Sequence, residues 1–116
     1  MSADVKSLIE SLRQFSKDRD WAQFHSPKNL ACALSVEVSE VLEHFQWLPE
    51  DQSRSLSPEV HAEVSEELAD VFLYLLQLSD ELGIDLLESA QRKLAVNAEK
   101  YPVDKAKGTS TKYTKL

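Results

Sequence analysis

Residues 30–47, LACALSVEVSEVLEHFQW, decide how this chain folds. At 100° per residue their apolar side chains recur on one side of an α-helix, which predicts a helix that packs one face against a core. Glu37 and Glu40 lie at the edge of that face, where a carboxylate loses hydration, and not on the opposite side. The residues of the face are Leu30, Leu34, Val38, Val41, Leu42 and Phe45.

The same arrangement recurs in residues 58–82. Glu67 and Asp70 lie at the edge of the second apolar face, with the three-residue spacing of Glu37 and Glu40. If the two helices pack together, the four carboxylates can surround one hard cation, and oxygen ligands favour Mg²⁺, with Mn²⁺ as a second option. The alternative is a solvated acidic surface without a ligand. The second apolar face consists of Val60, Val64, Leu68, Val71, Phe72, Leu75, Leu78 and Leu82.

A di-iron site of the ferritin type is a rival interpretation of paired acids on helices. It requires a Glu-x-x-His pair on two helices. Here His44 follows Glu40 by four residues and His61 precedes Glu63 by two, so the pattern does not occur.

Length and composition limit the classes of protein that this chain can represent. Its 116 residues predict a single domain over residues 1–116, and few Gly and Pro without strand-like alternation predict an all-α fold. A net charge of −7 argues against nucleic-acid binding. A single cysteine, Cys32, and the lack of a signal peptide or a long apolar run predict a cytoplasmic protein without a membrane segment.

The other segments complete a predicted four-helix bundle. A first amphipathic helix spans residues 3–18, and Ser57-Pro58 is a typical start for the third helix, which Gly83 ends. A fourth helix follows Asp85, and residues 103–116 form a polar tail that is either disordered or laid over a partner subunit. Residues 49–57 are read as a plain connector.

Aromatic side chains are dense in residues 19–29, which hold Trp21, Phe24 and His25. They either plug the end of the bundle or stack on a planar ligand. Trp47 lies on the acidic side of its helix, which indicates an oligomer contact or a ligand site. In the fourth helix, a stripe of Lys93, Asn97 and Tyr101 has the residue types that contact phosphate and ribose.

At this point the sequence resembles the MazG-like all-α nucleoside triphosphate pyrophosphohydrolases, and within them the dCTP pyrophosphatase branch. The shared acids are Glu37, Glu40, Glu67 and Asp70, and the resemblance extends over nearly the whole chain. One departure is Leu12, which falls near the place where mammalian members of the branch have a histidine. The stretches that carry the resemblance are RDWAQFHSPKNL, ALSVEVSEVLEHFQW, EELADVFLYLLQL, KLAVNAEKYP and STKYTKL.

The resemblance implies hydrolysis of a (deoxy)nucleoside triphosphate between the α and β phosphorus, which yields a monophosphate and pyrophosphate. It implies that the four acids bind Mg²⁺. We further predict that Glu37 and Glu40 are catalytic, with Glu37 as the base, because Glu37 is the better-shielded carboxylate of its pair at the edge of the apolar face. The resemblance also implies a homotetramer with sites between subunits. The substrate-binding residues that it implies are Trp21, His25, Trp47, Tyr74, Lys93, Asn97 and Tyr101.

Two further expectations concern specificity and assembly. Several bulky aromatic side chains around one base leave little room, which favours a pyrimidine and, first, dCTP or a 5-modified dCTP. Ala69, Leu73 and Leu76 lie outside the main apolar face of the third helix, so we expect them in a subunit interface. The alternative to an enzyme is a non-catalytic helical-bundle interaction module.

Overall fold

The computed structural model describes residues 4–116, and this part of the chain contains helices and no strand. The predicted all-α class is confirmed. Residues 1–3, which include the first residue of the predicted first helix, lie outside the described residues. The α-helices are α1 (Val5–Asp18), α2 (Pro27–Glu43), α3 (Glu50–Ser53), α4 (Pro58–Glu81), α5 (Leu86–Lys100) and α6 (Val103–Ala106), and 3₁₀ helices span Ala22–Phe24 and Tyr113–Lys115.

Short polar side chains define the starts of the four long helices. Asp4, Ser26, Ser57 and Asp85 each accept a hydrogen bond from the backbone N–H three residues later. Such caps satisfy backbone donors that have no partner within the helix. After α4, Gly83 takes a φ of 68°, which a side chain would disfavour, and the α-helix does not continue beyond it.

The end of α2 and the connector that follows it differ from the expectation. α2 ends at Glu43, because the N–H groups of His44 and Phe45 bond to carbonyls only three residues earlier and so tighten the chain into turns. Trp47 therefore lies beyond the helix. The segment read as a plain connector contains the single helical turn α3, whose Ser53 N–H bonds to the carbonyl of Pro49.

The chain divides into two compact units at Gly83 and Ile84. In the described part of the first unit, residues 4–83, α2 packs chiefly against α4, and α1 also packs against α4. Leu30 and Leu76 are its most deeply buried side chains, with 2% and 1% of their surface exposed, and Val64 is also buried. Leu76 therefore belongs to the core of this unit, so its assignment to a subunit interface was wrong.

The predicted apolar faces are not uniformly buried. Leu30 and Val64 lie in the core, whereas five members of these faces remain exposed. Helical periodicity identifies an apolar side but not what covers it, and α2 and α4 each use only part of that side for their mutual contact. The exposed members are Val38, Leu42, Leu68, Phe72 and Leu82.

The second unit, residues 84–116, holds α5, α6 and the 3₁₀ helix near the end of the chain. The rings of Tyr101 and Tyr113 meet edge to face with centroids 5.9 Å apart, and the Lys100 ammonium lies 4.7 Å above the Tyr113 ring. The polar tail thus folds back on the end of α5. The four-helix bundle and the single domain stay predictions.

None of the helices within residues 4–116 combines the length and the apolar character needed to span a membrane.

Candidate functional site

An aromatic cavity of about 250 Å³ opens in the first unit, between α1, the 3₁₀ helix and α4. It joins Trp21, His25 and Tyr74, three of the predicted base-pocket residues, to Asp70, one of the predicted metal ligands. Residues from positions 12 to 25 thus meet residues from positions 70 to 77. The full lining consists of Leu12, Phe15, Ser16, Trp21, His25, Asp70, Leu73, Tyr74 and Gln77.

The chain reversal after α1 places the aromatic side chains of this cavity. Asp20 adopts a φ of 54°, in the left-handed region that Asp tolerates better than most residues, and the Trp21 N–H bonds to the Ser16 carbonyl at 2.9 Å. The Trp21 ring then contacts Phe15 and His25 edge to face, with centroids 5.7 and 6.5 Å apart. Trp21 and His25 thus line an open cavity, and the stacking of a planar ligand on them stays a prediction.

Gln77 and Ser16 are polar side chains of the cavity that sequence reasoning missed. The Gln77 Nε2 lies 3.2 Å from the Ser16 Oγ and 3.4 Å from the His25 Nδ1, so one amide links α1, the 3₁₀ segment and α4. Ser16 is buried, because it lies one turn after Leu12 on the apolar face of α1. A serine on an apolar face was the available signal.

The predicted acids of α2 and α4 include two unusual oxygens. The Oε2 atoms of Glu37 and Glu67 are both buried, and that of Glu37 has no hydrogen-bond partner. Burial raises the pKa of the Glu37 carboxyl, and the neighbouring Glu40 carboxyl and the charges of Asp70 and Glu67 raise it further. The charges of all four predicted acids therefore act on one region between α2 and α4.

His44 is a further neighbour of these acids that the predicted site did not include. Its Nε2 lies 2.6 Å from the Glu67 Oε2, close enough to be a partner for that oxygen, and its Nδ1 lies 3.8 Å from the Glu63 Oε2. The available signal was its position one turn after Glu40, at the same edge of the helix.

The four carboxylates are the type of ligand that a hard cation prefers, but their oxygens do not converge on one point in this structure. Oxygen ligands suit Mg²⁺, and a cation would supply a partner for the buried Oε2 of Glu37. Within residues 4–116, no three His, Cys, Asp or Glu side chains are already grouped as a metal site.

The remaining predicted substrate residues lie elsewhere in the chain. Trp47 is in the first unit, 86% exposed, and is not part of the aromatic cavity. Lys93, Asn97 and Tyr101 belong to the second unit, on α5 and at its end. Their roles stay predictions.

Comparison with known proteins identifies the family of the chain. The sequence profile of the MazG-like family matches residues 32–116. dCTP pyrophosphatase 1 of Bos taurus is 40% identical over 99% of this chain and 72% of its own length, and the Homo sapiens protein of the same name is 40% identical over 99% and 71%. The crystal structure of a pyrophosphatase from Archaeoglobus fulgidus superimposes with a TM-score of 0.80 at 41% identity, covering 88% of this chain and 95% of that chain.

The profile match covers most of the chain, and the relatives align over almost all of it. The resemblance stated from the sequence motifs is therefore confirmed: the chain belongs to the MazG-like family.

Proposed function

We propose that this protein hydrolyses a pyrimidine deoxynucleoside triphosphate, dCTP first, to the monophosphate and pyrophosphate, with Mg²⁺ as the metal. The broader class, nucleoside triphosphate pyrophosphohydrolase, follows from the relatives named dCTP pyrophosphatase 1 and from the pyrophosphatase structure. The metal, the base and the residue roles are our assignments.

The observation that carries the proposal is the aromatic cavity next to Asp70. Trp21 and Tyr74 offer planar surfaces for a base, and stacking on such surfaces tolerates any base. Because a carboxylate repels a triphosphate, Asp70 beside a base pocket is reasonable only if a cation mediates the contact. A base in the cavity would direct the phosphates toward that acid.

We assign Glu37, Glu40, Glu67 and Asp70 to hold Mg²⁺. The ion would neutralise charge on the phosphates during attack by water. Glu37 has a buried, unpartnered oxygen, so it is the carboxylate that we assign to accept the proton of the attacking water. We assign Glu40, which lies three residues after Glu37 at the same helix edge, to support Glu37 in that role.

Size selects the base in this proposal. The cavity has a volume of about 250 Å³ and three aromatic side chains in its lining, and we assign it to a single-ring base held closely between those rings. Trp47, Lys93, Asn97 and Tyr101 would complete the site around the base, the sugar and the phosphates, and a homotetramer would bring residues of several subunits together.

The direct test measures pyrophosphate released from dCTP, 5-methyl-dCTP, dTTP, dUTP, dATP and dGTP, with Mg²⁺, Mn²⁺ or EDTA. We expect the highest kcat/KM for dCTP or its 5-modified form, and no release in EDTA. A purine in first place would contradict the size argument. No pyrophosphate from any triphosphate with either metal would contradict the proposed reaction.

A further inference from the structure

The side-chain amide of Gln77 contacts two possible hydrogen-bond acceptors in the wall of the aromatic cavity. Its nitrogen carries two hydrogens, and it lies 3.2 Å from the Ser16 Oγ and 3.4 Å from the His25 Nδ1. A ring nitrogen that accepts a hydrogen bond carries no hydrogen. The contact with Gln77 therefore favours the tautomer of His25 in which the hydrogen is on Nε2.

Burial and backbone hydrogen bonds hold the residues on both sides of this contact in place. Ser16 is buried, and its carbonyl accepts the Trp21 N–H at 2.9 Å. The His25 N–H bonds to the Ala22 carbonyl at 3.1 Å, which closes the 3₁₀ turn and limits where the imidazole can move. Since Nδ1 is engaged by Gln77, Nε2 is the ring nitrogen that remains for a ligand.

We propose that Gln77 is a positioning residue that holds His25 in its Nε2–H form, so that the cavity presents a hydrogen-bond donor to an acceptor atom of the base. The proposal rests on the proposed function for the identity of the ligand. The proposal requires that the ligand offer a ring nitrogen or a carbonyl oxygen as hydrogen-bond acceptor to His25. A pyrimidine has such acceptors, and a ligand that offers only a donor at that point would be rejected.

Nitrogen NMR of the histidine rings tests the tautomer without any substrate. The full ¹⁵N-labelled chain is studied at pH 8.5, above the range in which unperturbed histidines change charge, and His25→Gln identifies the His25 signals. We expect a wild-type Nδ1 without hydrogen. In Gln77→Glu the new carboxylate can only accept a hydrogen bond, so the imidazole hydrogen of His25 should move from Nε2 to Nδ1. A wild-type Nδ1 that carries hydrogen, or an unchanged spectrum in Gln77→Glu, would overturn the proposal.

Kinetics test the consequence for binding. For dCTP we expect the KM of Gln77→Glu to rise about ten-fold with kcat changed less than about two-fold, because a lost hydrogen bond to the base acts in the ground state as well as in the transition state. Gln77→Met keeps the size and adds no charge, so it should fold and show a smaller rise. An unchanged KM in a variant whose tautomer has switched would overturn the assignment.

A double substitution separates the tautomer from simple charge repulsion. In the His25→Gln background, Gln77→Glu should raise KM no further, since the residue that it acts through is gone. An equal rise in both backgrounds would show that the carboxylate repels the triphosphate directly and would refute the role of Gln77. If the wild-type protein hydrolyses no triphosphate, the proposed reaction fails, whereas the NMR result still decides the tautomer.

Discussion

At the scale of single residues, the Oε2 of Glu67 is buried and lies 2.6 Å from the Nε2 of His44. Glu67→Gln preserves the shape of the side chain but removes the charge that a cation requires. We expect the variant to lose turnover and the rise in melting temperature that Mg²⁺ produces in the wild type, with unchanged helical circular dichroism.

Glu66→Gln is the matched control, because Glu66 is an exposed acid next to Glu67 on the same helix. It should keep both the activity and the thermal shift. Full activity in Glu67→Gln would remove Glu67 from the metal site.

Trp21 offers a second test at this scale, since its ring is the largest aromatic surface of the cavity. A base stacked on an aromatic side chain is stabilised by about 1–3 kcal/mol, which predicts a KM for dCTP about five- to 150-fold higher in Trp21→Ala. Phe24→Ala is the control, because Phe24 is an exposed aromatic of the same segment outside the cavity lining. Equal KM values in the two variants would show that the base does not stack on Trp21.

Part of this cavity could be predicted from the sequence, and part could not. Trp21 and His25 stand out because aromatic side chains are dense in their connector, and Tyr74 follows from the family resemblance. Gln77 and Ser16 are ordinary polar residues 61 positions apart. Only the packing of α1 on α4 brings them together, and no local pattern encodes that approach.

At the scale of helices, one ion pair ties α1 to the end of α4. The Arg13 Nε donates to Asp80 at 2.8 Å, a second guanidinium nitrogen contacts the other carboxylate oxygen, and the Arg13 guanidinium lowers the pKa of Asp80 below its ordinary value of 3.8. Since the folded state lowers this pKa, the stabilisation is present above pH 3.8 and is lost as the pH falls through the lower, folded value. Arg13→Met should therefore lower the melting temperature at pH 7.

The melting temperatures of the wild type and Arg13→Met should converge as the pH falls below about 4, which circular dichroism can follow. Arg54→Met removes the exposed pair with Glu50 within one helical stretch and serves as the control, with little change at pH 7. A difference between wild type and Arg13→Met that stays constant from pH 7 to pH 3 would mean that the carboxylate of Asp80 is not the partner that matters.

The starts of the helices were predictable and the end of α2 was not. Ser57 with Pro58, and Asp85 with Glu88, are local signals whose caps the structure contains. The apolar period of α2 continues through Phe45, yet the helix stops at Glu43. Tight turns can hold the same side-chain spacing over a few residues, so periodicity alone does not locate the end.

At the scale of the whole molecule, the exposed apolar side chains on α2 and α4 require an explanation. Val38 and Leu42 form one stripe on α2, and Leu68 and Phe72 form another on α4, each four residues apart. The sequence placed these residues on core faces, and more than 40% of each side chain is exposed in the single chain. Apolar surface of this kind typically marks an interaction site.

We expect a second copy of the chain to cover these stripes, in line with the proposed homotetramer. Light scattering at micromolar concentration should give a mass that is a multiple of 13.1 kDa. Leu42→Glu and Phe72→Glu should shift it toward the monomer, because a buried, unpaired carboxylate is strongly unfavourable at an interface. Val36→Glu is the control: Val36 is equally exposed but lies off the predicted apolar face, so the oligomer should persist. A wild-type monomer, or dissociation by all three variants alike, would contradict this interface, since repulsion from added charge would then explain the result without it.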